Sequence, residues 1–245
     1  MKYIDKNQQP QVNAFNAMID SFIAHGKVHY RSLDDGERNQ IKIVLSAEQQ
    51  SHCAFCMQRP QQGGTVEHVI PQGITQRNYP AALRKGDYRN DFIHQSSFNV
   101  AYQPRQYPHT LAYGNLVLSC NSCNAQKWDE VISPTFFNDP TGVSYLEDGR
   151  VQFPTNALSL NLRTYLNGQT FTKYRALWQA IKQAGYGVAD VYACSRITER
   201  QAMLDNAEPH MRGTLRDLYQ QNKRRFLSNT SWGMMLSFDW FCSVY

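Results

Sequence analysis

Two Cys-x-x-Cys pairs constrain the fold of this chain more than any other feature. The first pair is Cys53 and Cys56, and the second is Cys120 and Cys123. A Cys-x-x-Cys turn directs both thiolates to one side of the backbone, and four thiolates complete the tetrahedral coordination that Zn²⁺ prefers. The alternative, four unrelated buried cysteines, leaves the matched spacing unexplained. The sequence therefore predicts a closed, structural zinc site that joins two distant parts of the chain.

Composition favours metal ligation over disulfide bonds. No apolar leader follows the N-terminal MKYIDKNQQPQ, and no apolar run is long enough to span a bilayer. These features predict a soluble cytoplasmic protein, in which thiols stay reduced. The net charge of +5 suits a polyanionic partner such as nucleic acid without identifying one. The two remaining cysteines, Cys194 and Cys242, are interpreted as small core residues.

Apolar spacing predicts two helices ahead of the first cysteine pair. Residues 12–25 carry apolar side chains at helical intervals, and Gly26 follows them as a stop signal. A second helix is predicted from about Asp34 to Gln50, and it leads directly to Cys53.

Short strands and one helix are predicted around the cysteine pairs. The segment TVEHVI follows a Gly-Gly turn signal and is typical of a strand, as is LVLS at Leu116–Ser119. From Asn121 to about Ile132 the pattern is helical, and Pro134 ends it.

Downstream of this region the patterns become mainly helical. Asp148 and Gly149 indicate the turn of a hairpin, and amphipathic patterns recur from Ala157 through Phe226. The predicted fold class is therefore α+β, with a small zinc-stabilised core embedded in a mostly helical chain. Three regions are predicted: an N-terminal helical segment (1–50), the core (51–133, with a long insertion at 72–113) and a mainly helical C-terminal region (134–245).

Residue types suited to catalysis or metal binding lie near the zinc ligands in the sequence. Glu67 and His68 belong to the predicted strand TVEHVI, and Asn124 directly follows the last ligand, Cys123. A zinc ion that joins the two pairs would bring His68 and Asn124 together. Lys127 lies one helical turn beyond Asn124.

Taken together, the motifs E-H-V-I-P, G-N-L and C-x-x-C-N-x-x-K resemble the HNH nuclease family, in its zinc-bearing branch. The matching residues are Glu67, His68, Asn115, Asn124 and Lys127. The resemblance implies a ββα-metal core and a metal-dependent endonuclease that hydrolyses phosphodiester bonds, in DNA more than in RNA.

The resemblance also implies a role for each motif residue. His68 would be the general base, and Glu67 and Asn124 would hold a catalytic Mg²⁺ or Mn²⁺, which prefers hard oxygen ligands. Many relatives have aspartate where this chain has Glu67. Asn115 would brace the loop that carries His68 through its side-chain amide. Lys127 has two interpretations, a phosphate contact or a solvated helix lysine.

The insertion at 72–113 is longer than the corresponding loop of compact family members. Its basic and aromatic residues suit phosphate contacts and base stacking, and they equally suit docking of a partner protein. The candidate nucleic-acid contacts are Arg77, Arg84, Lys85, Arg89 and Arg105.

Two segments beyond the core extend the resemblance. YLEDGRV and ALSLNLRTYLN are similar to the C-terminal half of the PtuB-type HNH proteins of Septu and retron-associated anti-phage systems. This similarity implies a PtuA-type ATPase partner and, in the retron case, a reverse transcriptase with its non-coding DNA and RNA. The alternative is a zinc-stabilised nucleic-acid or protein binding module without catalysis, and the intact set of motif residues favours the enzyme.

Overall fold

A computed structural model describes residues 4, 6, 9–60, 63–69, 71–72, 110–128, 144–152 and 160–227. Within these ranges the protein is mostly helical and contains two small antiparallel sheets. The predicted mixture of helices and strands is therefore confirmed. In the same ranges, no helix is both long and apolar enough to cross a membrane.

Two helices precede the first cysteine pair, as predicted. Helix α1 covers Gln9–Ala24 and helix α2 covers Asp35–Glu48. A capping box starts α2, because the side chains of Asp34 and Glu37 each accept a hydrogen bond from the other's backbone N–H, at 2.9 and 2.8 Å. Each helix buries one stripe at helical spacing: Val12, Phe15, Ile19 and Phe22 in α1, and Ile41 and Leu45 in α2.

The region around the cysteines contains a strand pair and a short helix. Strand β1 (Thr65–His68) pairs antiparallel with strand β2 (Leu116–Ser119), and helix α3 covers Asn121–Lys127. Both strands and the start of the helix agree with the prediction. The helix ends at Lys127 rather than near Ile132, because Trp128 adopts φ 53° and ψ −130°, which leaves the helical path.

The side chain of Gln49 closes the outer edge of β2. Its amide oxygen accepts a hydrogen bond from Leu118 N at 2.7 Å, and its amide nitrogen donates to Leu118 O at 3.0 Å. Ala54 N also donates to Leu118 O, at 2.9 Å. Peptide groups at the centre of this edge are therefore satisfied by Gln49, the C-cap residue of α2, and by the first cysteine turn.

A hairpin and a set of helices make up the described part of the C-terminal region. Strands β3 (Ser144–Tyr145) and β4 (Val151–Gln152) pair antiparallel, and the predicted turn at Asp148 and Gly149 joins them. The helices that follow agree with the predicted helical pattern. They are α4 (Leu160–Leu166), α5 (Gln169–Gln183), α6 (Val188–Ala193), α7 (Ile197–Ala207) and α8 (Thr214–Leu227).

Buried side chains form three clusters among the described residues. The first joins α1 and α2 to β2 and to residues 111–113, so the N-terminal helices pack directly on the strand pair. The second surrounds the cysteines with residues from the hairpin and α4. The third lies among α5 to α8, with Cys194 packed at its margin, whereas Cys242 lies outside the described residues.

Gly149→Ala is expected to destabilise the fold more than Gly185→Ala. Both glycines have positive φ, 82° and 89°, so alanine is strained at either position by about 1–2 kcal/mol. A Cβ at Gly149 would also overlap the carbonyl oxygen of Thr172 in α5, whereas nothing lies within 4 Å of a Cβ at Gly185. We expect an additional loss of about 1–3 kcal/mol for Gly149→Ala in denaturant unfolding. Equal losses at the two positions would contradict the packing of the hairpin on α5.

Candidate functional site

Four cysteine thiols from two distant segments converge beside the strand pair. The Sγ atoms of Cys53, Cys56, Cys120 and Cys123 all lie within 4.8 Å of one another. The Sγ atoms of Cys56 and Cys120 are 3.8 Å apart. A tetrahedron with metal–sulfur bonds of about 2.3 Å has edges of about 3.8 Å, so the sulfur positions fit a tetrahedrally coordinated ion. The cluster can therefore hold a metal ion.

Backbone hydrogen bonds build this cluster from two turns. Met57 N donates to Cys53 O at 3.0 Å and closes the first turn. Cys120 is the N-cap of α3, and its Sγ accepts a hydrogen bond from Cys123 N at 3.4 Å. Because the second turn is also the start of α3, the cluster fixes where that helix begins.

The thiols influence one another's ionisation. Burial raises the pKa of Cys53, but hydrogen bonds from the other three thiols outweigh burial and hold its pKa well below the ordinary value. The contact with Cys120 is the main cause that raises the pKa of Cys56 and of Cys123. The close contacts among the sulfur atoms therefore move the pKa of each thiol away from its ordinary value. A bound cation favours ionisation of the full set.

A cavity of about 290 Å³, here called the candidate cleft, opens at β1 and α3. The cleft brings together Glu67, His68 and Asn124, three of the motif residues that the sequence singled out. Asn115 and Lys127 are not among its lining residues. The lining residues are Arg31, Val66, Glu67, His68, Pro71, Gln72, Asn124 and Trp128.

Contacts from three separate segments hold the ring of His68. Its Nε2 lies 3.1 Å from Thr110 O. A carbonyl oxygen only accepts, so Nε2 carries the hydrogen and Nδ1 of the neutral ring is an acceptor. Gln72 Nε2 donates to this Nδ1 at 3.4 Å. Tyr30 packs edge-on against the imidazole, with ring centroids 4.9 Å apart, and its backbone N donates to Thr110 Oγ1 at 3.4 Å.

Glu67 and Lys127 form a buried ion pair at the C-terminal end of α3. Lys127 Nζ lies 2.9 Å from Glu67 Oε1, and the two side chains are 0% and 7% exposed. Burial raises the pKa of Glu67, and the charge of Lys127 opposes that rise. The interpretation of Lys127 as a solvated helix lysine is therefore wrong. The lysine instead supplies a cation to the carboxylate that the family resemblance makes a metal ligand.

The two asparagines of the motif occupy different settings. Asn124 donates from Nδ2 to Thr65 Oγ1 at 3.3 Å, so its amide oxygen is the atom that suits a cation. Asn115 is buried, and its main-chain carbonyl accepts a hydrogen bond from Val69 N at 2.9 Å. This main-chain contact ties the residue after His68 to the turn at Tyr113–Asn115. A bracing role for the Asn115 side chain stays a prediction.

Some contributors to the site could not be read from the motifs. Tyr30 and Arg31 lie far from the motif residues in sequence, Thr110 lies five residues before Asn115, and all three are ordinary residue types. Only Trp128 had a signal, because it directly follows the N-x-x-K motif. The predicted nucleic-acid contacts Arg77, Arg84, Lys85, Arg89 and Arg105 lie outside the described residues.

Comparison with protein-family models, with curated proteins and with solved structures gave no match to this chain. A functional assignment therefore depends on the residues of the site and on their geometry.

Lys127→Met is expected to destabilise the protein by about 3–5 kcal/mol, because it leaves the carboxylate of Glu67 buried without its cation. Lys223→Met is the matched control. Its Nζ lies 2.7 Å from Asp205 Oδ1, but those side chains are 32% and 46% exposed, and the expected loss is below about 1 kcal/mol. Denaturant unfolding at neutral pH measures both variants.

The double variant Lys127→Met/Glu67→Gln separates lost charge pairing from lost packing. It is expected to recover part of the stability that Lys127→Met loses, because the uncompensated charge is removed with it. Equal losses for Lys127→Met and Lys223→Met would show that the Glu67–Lys127 pair is not the buried interaction described above.

Proposed function

We propose that this protein is a metal-dependent endonuclease that hydrolyses phosphodiester bonds in nucleic acid, with DNA as the first substrate to test. One observation carries the proposal: a single cleft contains an oriented histidine together with two oxygen-bearing side chains, Glu67 and Asn124. Phosphodiester hydrolysis requires a base for the attacking water and stabilisation of the charge that develops on the phosphate and leaving oxygen.

His68 is suited to be the base. Its Nδ1 is the acceptor nitrogen, so it can take a proton from water once the long contact from Gln72 Nε2 yields. The hydrogen on Nε2 remains bonded to Thr110 O throughout, and this bond strengthens as the ring becomes positively charged. Tyr30 keeps the plane of the ring fixed. The base is therefore oriented before substrate binds.

Glu67 and Asn124 would hold the catalytic Mg²⁺ or Mn²⁺. Both provide hard oxygen donors at the same cleft, which is the ligand type that these ions prefer. A divalent cation bound there stabilises negative charge on the phosphate and on the leaving oxygen. Burial raises the pKa of Glu67, and the charge of Lys127 at 2.9 Å opposes that rise and so favours the charged form of this ligand.

The four-cysteine cluster would hold a structural zinc ion. Four soft sulfur ligands complete a tetrahedral sphere and leave no open position for a substrate, which separates this site from the catalytic one. Its contribution is to hold the start of α3, and therefore Asn124, close to β1.

The alternative function is a zinc-stabilised nucleic-acid or protein binding module in which the cleft performs no chemistry. The fixed tautomer of His68 favours the enzyme, since a scaffold has no need of an oriented acceptor nitrogen at a cleft. The place of the protein as effector of an anti-phage complex with a PtuA-type ATPase rests on the sequence resemblance. Co-expression with neighbouring genes, followed by purification of what associates, tests that part.

His68→Ala is expected to reduce cleavage of nucleic acid with Mg²⁺ or Mn²⁺ by about 10²–10⁴-fold, because the water loses its base. Cleavage of plasmid DNA and of RNA, followed over time, measures this loss. His25→Ala is the matched control, because His25 is exposed directly after α1 and its loss should leave the rate unchanged. His68→Asn and the metal content of each variant show that the fold is retained. Wild-type cleavage by a folded His68→Ala protein would refute the mechanism.

Elemental analysis of the purified protein is expected to find about one zinc ion per chain. Cys53→Ser should lose this zinc and most of the soluble protein, because a structural site contributes roughly 10 kcal/mol or more in small zinc domains. Cys194→Ser is the control, since that cysteine lies outside the cluster and should keep zinc bound. Stable, folded protein without any metal would rule out the structural role of the cluster.

A further inference from the structure

Trp128 occupies a position at the candidate cleft that folding alone does not account for. Its φ of 53° and ψ of −130° lie in a region that suits glycine and strains a residue with a large side chain. The residue is 75% exposed, although burial of such a ring would stabilise the fold. Both the backbone and the exposure disfavour tryptophan here. A contact with a ligand would account for tryptophan at this position.

Arg31 faces the same cleft from a different segment. It belongs to the turn at Tyr30–Ser32, which also supplies the ring that packs on His68. Its backbone is held on both sides, because Arg31 N donates to His29 Nδ1 at 3.1 Å and Arg31 O accepts from Arg38 at 3.1 Å. Within the described ranges, its guanidinium forms no ion pair. The cleft therefore has an exposed aromatic ring and an exposed cation among its lining residues.

We propose that Trp128 stacks on an unpaired base while Arg31 contacts a phosphate of the same strand, so that the candidate cleft binds single-stranded nucleic acid. An indole can stack only on a base whose face is uncovered, and in a duplex each interior base is covered on both faces by its neighbours. The volume of about 290 Å³ suits one group of a polymer rather than a whole duplex. This inference rests on the proposed function and specifies the substrate class of its site.

Binding of matched single-stranded and duplex oligonucleotides tests the inference. Fluorescence anisotropy is measured in a His68→Ala background with zinc-loaded protein and no added Mg²⁺ or Mn²⁺, so that binding is separated from cleavage. Trp128→Leu is expected to weaken single-strand binding by about 5- to 140-fold, the equivalent of one lost stacking contact. Trp128→Phe should retain most of the affinity. Ile197→Ala, at an exposed apolar position in α7, is the control and should change nothing.

Arg31→Gln should weaken single-strand binding and lower its logarithmic salt dependence by about 0.7, as expected for one lost phosphate contact. An unchanged salt dependence would contradict the role of Arg31. Loss of single-strand and duplex binding to the same extent in Trp128→Leu would overturn the stacking role, as would unchanged single-strand binding.

Trp128→Gly distinguishes a ligand contact from a structural role. Glycine relieves the strain at this φ and ψ, so the variant should melt about 2 °C or more above the parent protein while losing single-strand affinity. A lower melting temperature would identify Trp128 as a structural residue and overturn the inference. Failure of the nuclease proposal would be seen in the cleavage assay, as unimpaired cleavage by His68→Ala. The binding measurements test the stacking role of Trp128 independently of that result.

Discussion

The position of α3 against β1 decides how close Asn124 and Lys127 lie to Glu67 and His68. Four thiols fix the start of this helix, because Cys120 caps it and Cys123 lies in its first turn. The Glu67–Lys127 ion pair fixes its other end against the strand. With both ends held, Asn124 has little freedom to leave the cleft that it shares with His68. A short helix, which would be unstable in isolation, thereby becomes a rigid part of the site.

Support for His68 comes from outside the motif that contains it. Tyr30 belongs to the segment between α1 and α2, and Thr110 precedes β2. Both segments border the first hydrophobic cluster, which includes residues of α1, α2 and β2. The orientation of the imidazole therefore depends on packing of the N-terminal helices. Substitutions in α1 or α2 that loosen this packing would disturb the site without touching it.

Patterns with a short period were predictable from sequence, and contacts set by long-range packing were not. The helix at Asp35–Glu48, the two strands and the two Cys-x-x-Cys turns follow from local spacing, and the convergence of the four cysteines follows from the four ligands that zinc requires. The partner of Lys127 depends on how the helix lies across the strand, which spacing does not specify. The early end of α3 depends on the backbone of Trp128, where no glycine signals the change of direction. Tyr30 reaches His68 only through the tertiary fold.

The closure of the β2 edge by Gln49 limits how other molecules can associate with this protein. A two-stranded sheet usually presents peptide groups to which a further strand can add. Here the amide of Gln49 imitates a peptide unit and takes both hydrogen bonds of Leu118. A partner that extended the sheet at this edge would first have to displace a buried side chain. A partner that binds at this edge is therefore expected to contact side chains rather than add a strand. The same closure disfavours edge-to-edge aggregation between copies of the protein.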